Sequence, residues 1–162
     1  MSLTGAILRS WHSPRTVLRQ LLAQDRREGR LLIYLTLGLG LVFIAQWPRL
    51  ARDATEEVGL DALLAGALFG IMFIGPLLFY AIAGLITLPL WLARRVEGFA
   101  VRLALFWALL AVAPLALVQA AITASLGHGM AALLLGVVIL SLFAVILLAG
   151  LRVALEAAAR PA

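Results

Sequence analysis

The sequence predicts an all-α polytopic integral membrane protein: a helical bundle of four transmembrane helices with an N-terminal amphipathic interfacial helix. Three observations carry that prediction. Segments 31–47, 62–93, 99–124 and 130–151 hold one ionised side chain between them, Arg102, which sits near a segment end. Apolar runs of this length with almost no charge read as bilayer-spanning helices. The chain is 64% apolar and 13% charged, whereas soluble domains are nearer half apolar and about a quarter charged, so polar surface is too scarce for a soluble fold. The arginines, finally, gather on alternate loops, which is the pattern that orients a membrane protein.

Residues 1–30 form a basic leader. Leu3, Ile7, Leu8 and Trp11 recur at helical spacing, and Ser13-Pro14 offers an N-cap followed by proline at the first helical position. Val17, Leu18, Leu21 and Leu22 make a second apolar stripe, opposed by Arg15, Arg19, Arg26 and Arg27. Such helices lie in the headgroup layer with the apolar side down; the alternative is a solvated tail that packs on the bundle. The leader is too long and too basic for a secretory signal, and no small-x-small cleavage pattern follows the first apolar run, so it is expected to be retained.

The first span, 31–47, reaches only about 26 Å at the helical rise, with Tyr34 and Trp47 at its ends as belt aromatics and Pro48 closing it. In the loop 49–61, Arg49, Asp53, Glu57 and Asp61 recur every four residues, which reads as a short surface helix or a weak acidic cation site. Segment 62–93 would run about 48 Å, too long for one span of about 30 Å and too short for two. Loop charge resolves the ambiguity. One span puts eleven arginines (9, 15, 19, 26, 27, 30, 94, 95, 102, 152 and 160) on the cytoplasmic side against Arg49 and Arg52 outside. Splitting at Gly75-Pro76 would reverse that bias. The segment is therefore one span of about 62–90, kinked at Pro76 or containing a re-entrant piece. Span 99–124 carries Pro114, the turn around His128 is uncharged, and span 130–151 returns the chain to a short tail, 157–162. The transmembrane domain thus covers 31–156, with both termini cytoplasmic.

Chemistry-bearing patterns are sparse. All 13 basic residues are arginine, the net charge is +5, and there is no cysteine, which excludes disulfides and thiolate metal sites. The arginines flank apolar helices instead of lining a soluble face, so anionic lipid is the expected partner and nucleic acid is not. His12 and His128 fall on opposite sides of the bilayer, and no hydrolase, metalloprotease or phosphate-loop motif is present. The expectation is a non-enzyme with no cofactor and no metal. Arg94, Arg95 and Arg102 form the densest cationic cluster beside a span, and with Arg15 and Arg19 they are the candidate lipid or partner contacts. Ala62, Gly66 and Gly70, and likewise Ala104 and Ala108, repeat every four residues as helix-packing faces; they serve the bundle interior or a homo-oligomer. The deep polar residues Thr36, Tyr80, Thr87, Gln119, Thr123 and Ser141 are neutral, which speaks against an ion relay.

The stretches WHSPRTVLRQLL, FIAQWPRLARDA, GPLLFYAIAGLITLPLW and VRLALFWALLAVAPLALVQ, in that order, resemble the bacterial branch of the Yip family of small polytopic membrane proteins. The resemblance implies a bacterial inner-membrane helical protein and carries over no functional residue; family members usually show five spans, and this chain offers four. Together the readings point to a scaffold, assembly or membrane-organising factor that binds lipid and protein partners. The alternative is a small oligomeric transporter or channel component.

Overall fold

The computed structural model describes residues 2–127 and 129–159, so His128 and Arg160 lie outside the described residues. Each apolar segment is helical, and among the described residues there is no strand. Two short helices, α1 (Leu3–His12) and α2 (Pro14–Leu22), precede α3 (Glu28–Asp53); α4 (Leu60–Phe69) continues through a π-helical turn, Gly70–Ile74, into α5 (Gly75–Arg94); α6 (Gly98–Leu126) and α7 (Met130–Ala158) complete the chain. Four of these stretches are long and apolar enough to cross a membrane: α3, the composite Leu60–Arg94, α6 and α7. The chain is a multi-pass membrane protein. With four crossings, the leader and the C-terminal turns of α7 lie at the same end of the bundle, and the α3–α4 and α6–α7 connections lie at the other.

Two helix ends differ from expectation. Pro48 does not stop the first span; α3 continues to Asp53 with the proline inside it. A proline removes only its own N–H from the ladder, and the extra turn is held by Leu50, which is buried. The expected surface helix in 49–61 is therefore the last turn of α3, followed by a short turn in which the Thr55 N–H donates to the Val58 carbonyl. At the other extreme α7 runs on past Arg152 to Ala158. Segment 62–93 is one span, and its irregularity is the π turn directly before Pro76. Pro76 has no N–H to return to Met72, and the ladder widens there so that the Gly75 N–H reaches the Gly70 carbonyl.

The core centres on α6. Its stretch 103–113 is buried almost without interruption, with Phe106, Trp107, Ala108 and Ala111 at 0% exposure. Small residues allow the approach. A Cβ on Gly38 of α3 would stand 3.0 Å from Leu109, and one on Gly150 of α7 would stand 2.5 Å from the Ala104 Cβ. Ala104 and Ala108 thus lie inside the bundle. Ala62 and Gly66 do not: both are exposed, and a Cβ on Gly66 or Gly70 would meet nothing within 4 Å. That stripe faces outward, while α4 and the π turn meet α3 through other residues such as Ile71 and Met72.

The leader is part of the bundle. Val17, Leu18 and Leu21 of α2 are buried, and Leu18 approaches Gly150, so the apolar stripe faces protein, not lipid tails. In α1 the buried face is Ala6 and Ser10 with Ile7 and Trp11 packed partly buried beside it, while Leu3 and Leu8 are exposed, so half of the expected stripe faces the bundle. The reason is polar. The Trp107 indole N–H donates to the Ser10 hydroxyl at 2.9 Å, Ser10 donates to the Ala6 carbonyl at 2.8 Å, and the Trp11 indole donates to the Ala111 carbonyl at 2.8 Å. Pro114 gives no N–H to the Leu110 carbonyl, and the Ala111 carbonyl that Trp11 reaches is the next one along α6. Tyr34, expected in an aromatic belt, instead packs edge-on to Trp107 at 5.0 Å.

Candidate functional site

Along α6, Arg102 and Gln119 are separated by about 26 Å of helix at 1.5 Å per residue, close to the hydrocarbon thickness of a bilayer. Arg102 ties to Glu28 at 2.5 Å at the terminal end, so Gln119 sits near the opposite interface. There α3, α6 and the start of α7 part company around a cavity of about 640 Å³ that is open to the surface, within the size range usual for small-molecule sites. Its polar wall is Gln46, Arg49 and Arg52 from the last turns of α3 with Gln119 and Thr123 from α6; its apolar wall includes Val42, Ala116, Met130 and Leu133.

Local chemistry orients these groups. The Gln119 amide donates to the Ala132 carbonyl of α7 at 3.0 Å, and Gly136 makes room for it, since a Cβ there would stand 2.8 Å from Nε2. The Thr123 hydroxyl donates to the Gln119 carbonyl at 2.7 Å. Arg49 approaches Asp53 at 4.0 Å with both side chains more than half exposed, a weak pairing. Arg52 makes no ion pair among the described residues. The ensemble can bind an anion and an apolar body side by side. Among the described residues, no three His, Asp or Glu come together in a metal-binding group.

The arginines singled out from the sequence take different partners. Arg19 pairs with Glu156 of α7 at 2.6 Å, and Arg26 with Glu97. Arg95 closes α5 in the left-handed region at φ 55°, its guanidinium 5.0 Å from the Trp91 ring, a cation–π contact that offsets some of the backbone strain. Arg15 and Arg94 are exposed. Arg102 and Trp91 share a smaller groove of about 320 Å³ between α5 and α6, together with Tyr80 and Thr87. These cations ring the terminal end without forming one cluster. Sequence reasoning missed the α3 wall of the large cavity because it ended the helix at Pro48. Carried past the proline, Val42, Ala45, Gln46, Arg49 and Arg52 read as an i, i+3, i+4, i+7, i+10 stripe. Two of the other deep hydroxyls serve their own helices, Thr87 on Ala83 and Ser141 on Val137.

No family model, no curated protein and no solved structure matches the chain.

Proposed function

We propose that this chain is a non-enzymatic scaffold or assembly factor of a bacterial inner membrane, binding anionic lipid and membrane-protein partners, with both termini in the cytoplasm. The observation that supports it best is the construction of the terminal end. There the leader closes the bundle through buried contacts with α6 and α7, and arginines surround the closure. A ring of cations beside a sealed apolar core matches an anionic leaflet. The same cations orient the chain by the positive-inside rule. The order of segments that resembles the bacterial Yip branch is in keeping with such a role. Lipid-facing surface is ample, since of the composite span only Ala83 is buried, and a face of that kind suits lateral partners.

The second reading is a transporter or channel component, favoured by the cavity that reaches Gln119. Against it stands the buried stretch 103–113 of α6, which separates that cavity from the groove at Arg102. Purification in mild detergent followed by native mass spectrometry is expected to find anionic phospholipid or a stoichiometric membrane-protein partner retained. Liposomes containing the protein alone should show no solute flux. Flux in the absence of any retained lipid or partner overturns the scaffold reading in favour of transport.

A further inference from the structure

We infer that the cavity between α3, α6 and α7 binds one anionic amphiphile of the far leaflet, its phosphate held by Arg52 and Arg49 and its chains lying over α7. This rests on the lipid-binding reading above and names one site and one ligand class for it.

Position comes first. Gln119 marks the level of the far interface, and Trp47, half exposed beside Gln46, is an aromatic of the kind that sits at that level. Arg49 and Arg52 lie one to two turns further along α3, where lipid phosphates lie. Charge comes second. Asp53, Glu56, Glu57 and Asp61 belong to the same end of the molecule, yet none of them lines the cavity, whereas both arginines do. Asp53 only partly occupies Arg49. A guanidinium offers a planar fork of donors that matches phosphate oxygens. Shape comes third. The apolar wall ends on Met130 and Leu133, which are 72% and 62% exposed, so acyl chains can leave the cavity along the lipid-facing side of α7. A free inorganic anion would use the arginines and leave that wall empty.

The test uses the full chain in mild detergent with three probes: dioctanoyl phosphatidylglycerol, dioctanoyl phosphatidylcholine and inorganic phosphate. Native mass spectrometry should show one phosphatidylglycerol held with clear preference over phosphatidylcholine, and phosphate should not displace it. Arg52→Gln, at an exposed position, should weaken that binding about tenfold or more, Arg49→Gln less, and Gln20→Ala, exposed on α2 at the other end, not at all. Unchanged binding in Arg52→Gln, or full displacement by phosphate, overturns the assignment. A phosphatidylglycerol with a photoactivatable tail supplies a reading that needs no variant: adducts are expected on the peptide carrying Met130 and Leu133. Adducts confined to the leader or to the Trp91–Arg102 groove sink the site while leaving lipid binding in general intact. No lipid retained by the wild-type chain sinks both.

Discussion

The two ends of this bundle are built from the same helices and pack in opposite ways. At the terminal end α6 is enclosed by α3, α5, α7 and the leader, and residues such as Trp107 and Ile146 have no exposure at all. At the other end α6 beyond Pro114 is only half covered, and the helices separate around an open cavity with one polar and one apolar wall. The difference teaches that tight packing in lipid depends on small residues and satisfied polar groups more than on apolar content, because lipid tails are as apolar as leucine. The closed end has Gly38, Ala104 and Gly150 at its crossings and the Ser10–Trp107 bond at its centre. The open end has Gln119 and two arginines.

The contrast can be broken most directly at the α6–α7 crossing. Gly150→Leu places a side chain where even a Cβ would stand 2.5 Å from Ala104. It should cost about 3 kcal/mol, read as a marked fall in thermal midpoint in detergent; a stable variant would show that the closed end is looser than described. Next in size is Ser10→Ala. It strands the buried Trp107 N–H and should cost about 1–3 kcal/mol, releasing the leader so that trypsin cuts at Arg15 and Arg19 faster than in the wild type. Gln119→Leu removes the bond to Ala132 and should cost about 1 kcal/mol. Because that residue belongs to the open end, its effect should stay well below that of Gly150→Leu, and a larger one would reverse the ranking of the two ends. Smallest of all, Gly66→Leu and Arg19→Gln should each stay within about 0.5–1 kcal/mol, since Gly66 faces open space and the Arg19–Glu156 pair is about half exposed. Should Gly66→Leu abolish a cross-linked dimer without changing stability, the α4 stripe is a contact between copies.

Much of the fold was legible before any coordinates. The four apolar segments and the apolar face of α2 follow from residue-by-residue hydropathy and spacing, and the single passage of 62–93 follows from the placement of the loop arginines. The path of the helix through Pro48 was not legible, since a proline signals a stop only when nothing holds the following turn, and here Leu50 does. The facing of α1 was legible only in part: Ile7 and Trp11 pack on the core as their spacing implies, but Leu3 and Leu8 are exposed, and Ser10 is buried against Trp107 instead. Of the candidate site, Arg49 and Arg52 read from the sequence as loop charges because Pro48 signals the end of the span, and Gln119 reads as one of several neutral deep polar residues.

By itself the sequence determined that this chain crosses lipid four times, and which segments do so. The cost of placing charge or unpaired backbone in hydrocarbon is local and adds up along the chain. Only the tertiary structure decided which faces are protein-facing, that the leader closes one end, and that a cavity with two arginines on its rim remains at the other. Those outcomes depend on how closely two distant segments can approach, and that distance is set by side chains far apart in sequence, such as Ala104 with Gly150 and Ser10 with Trp107.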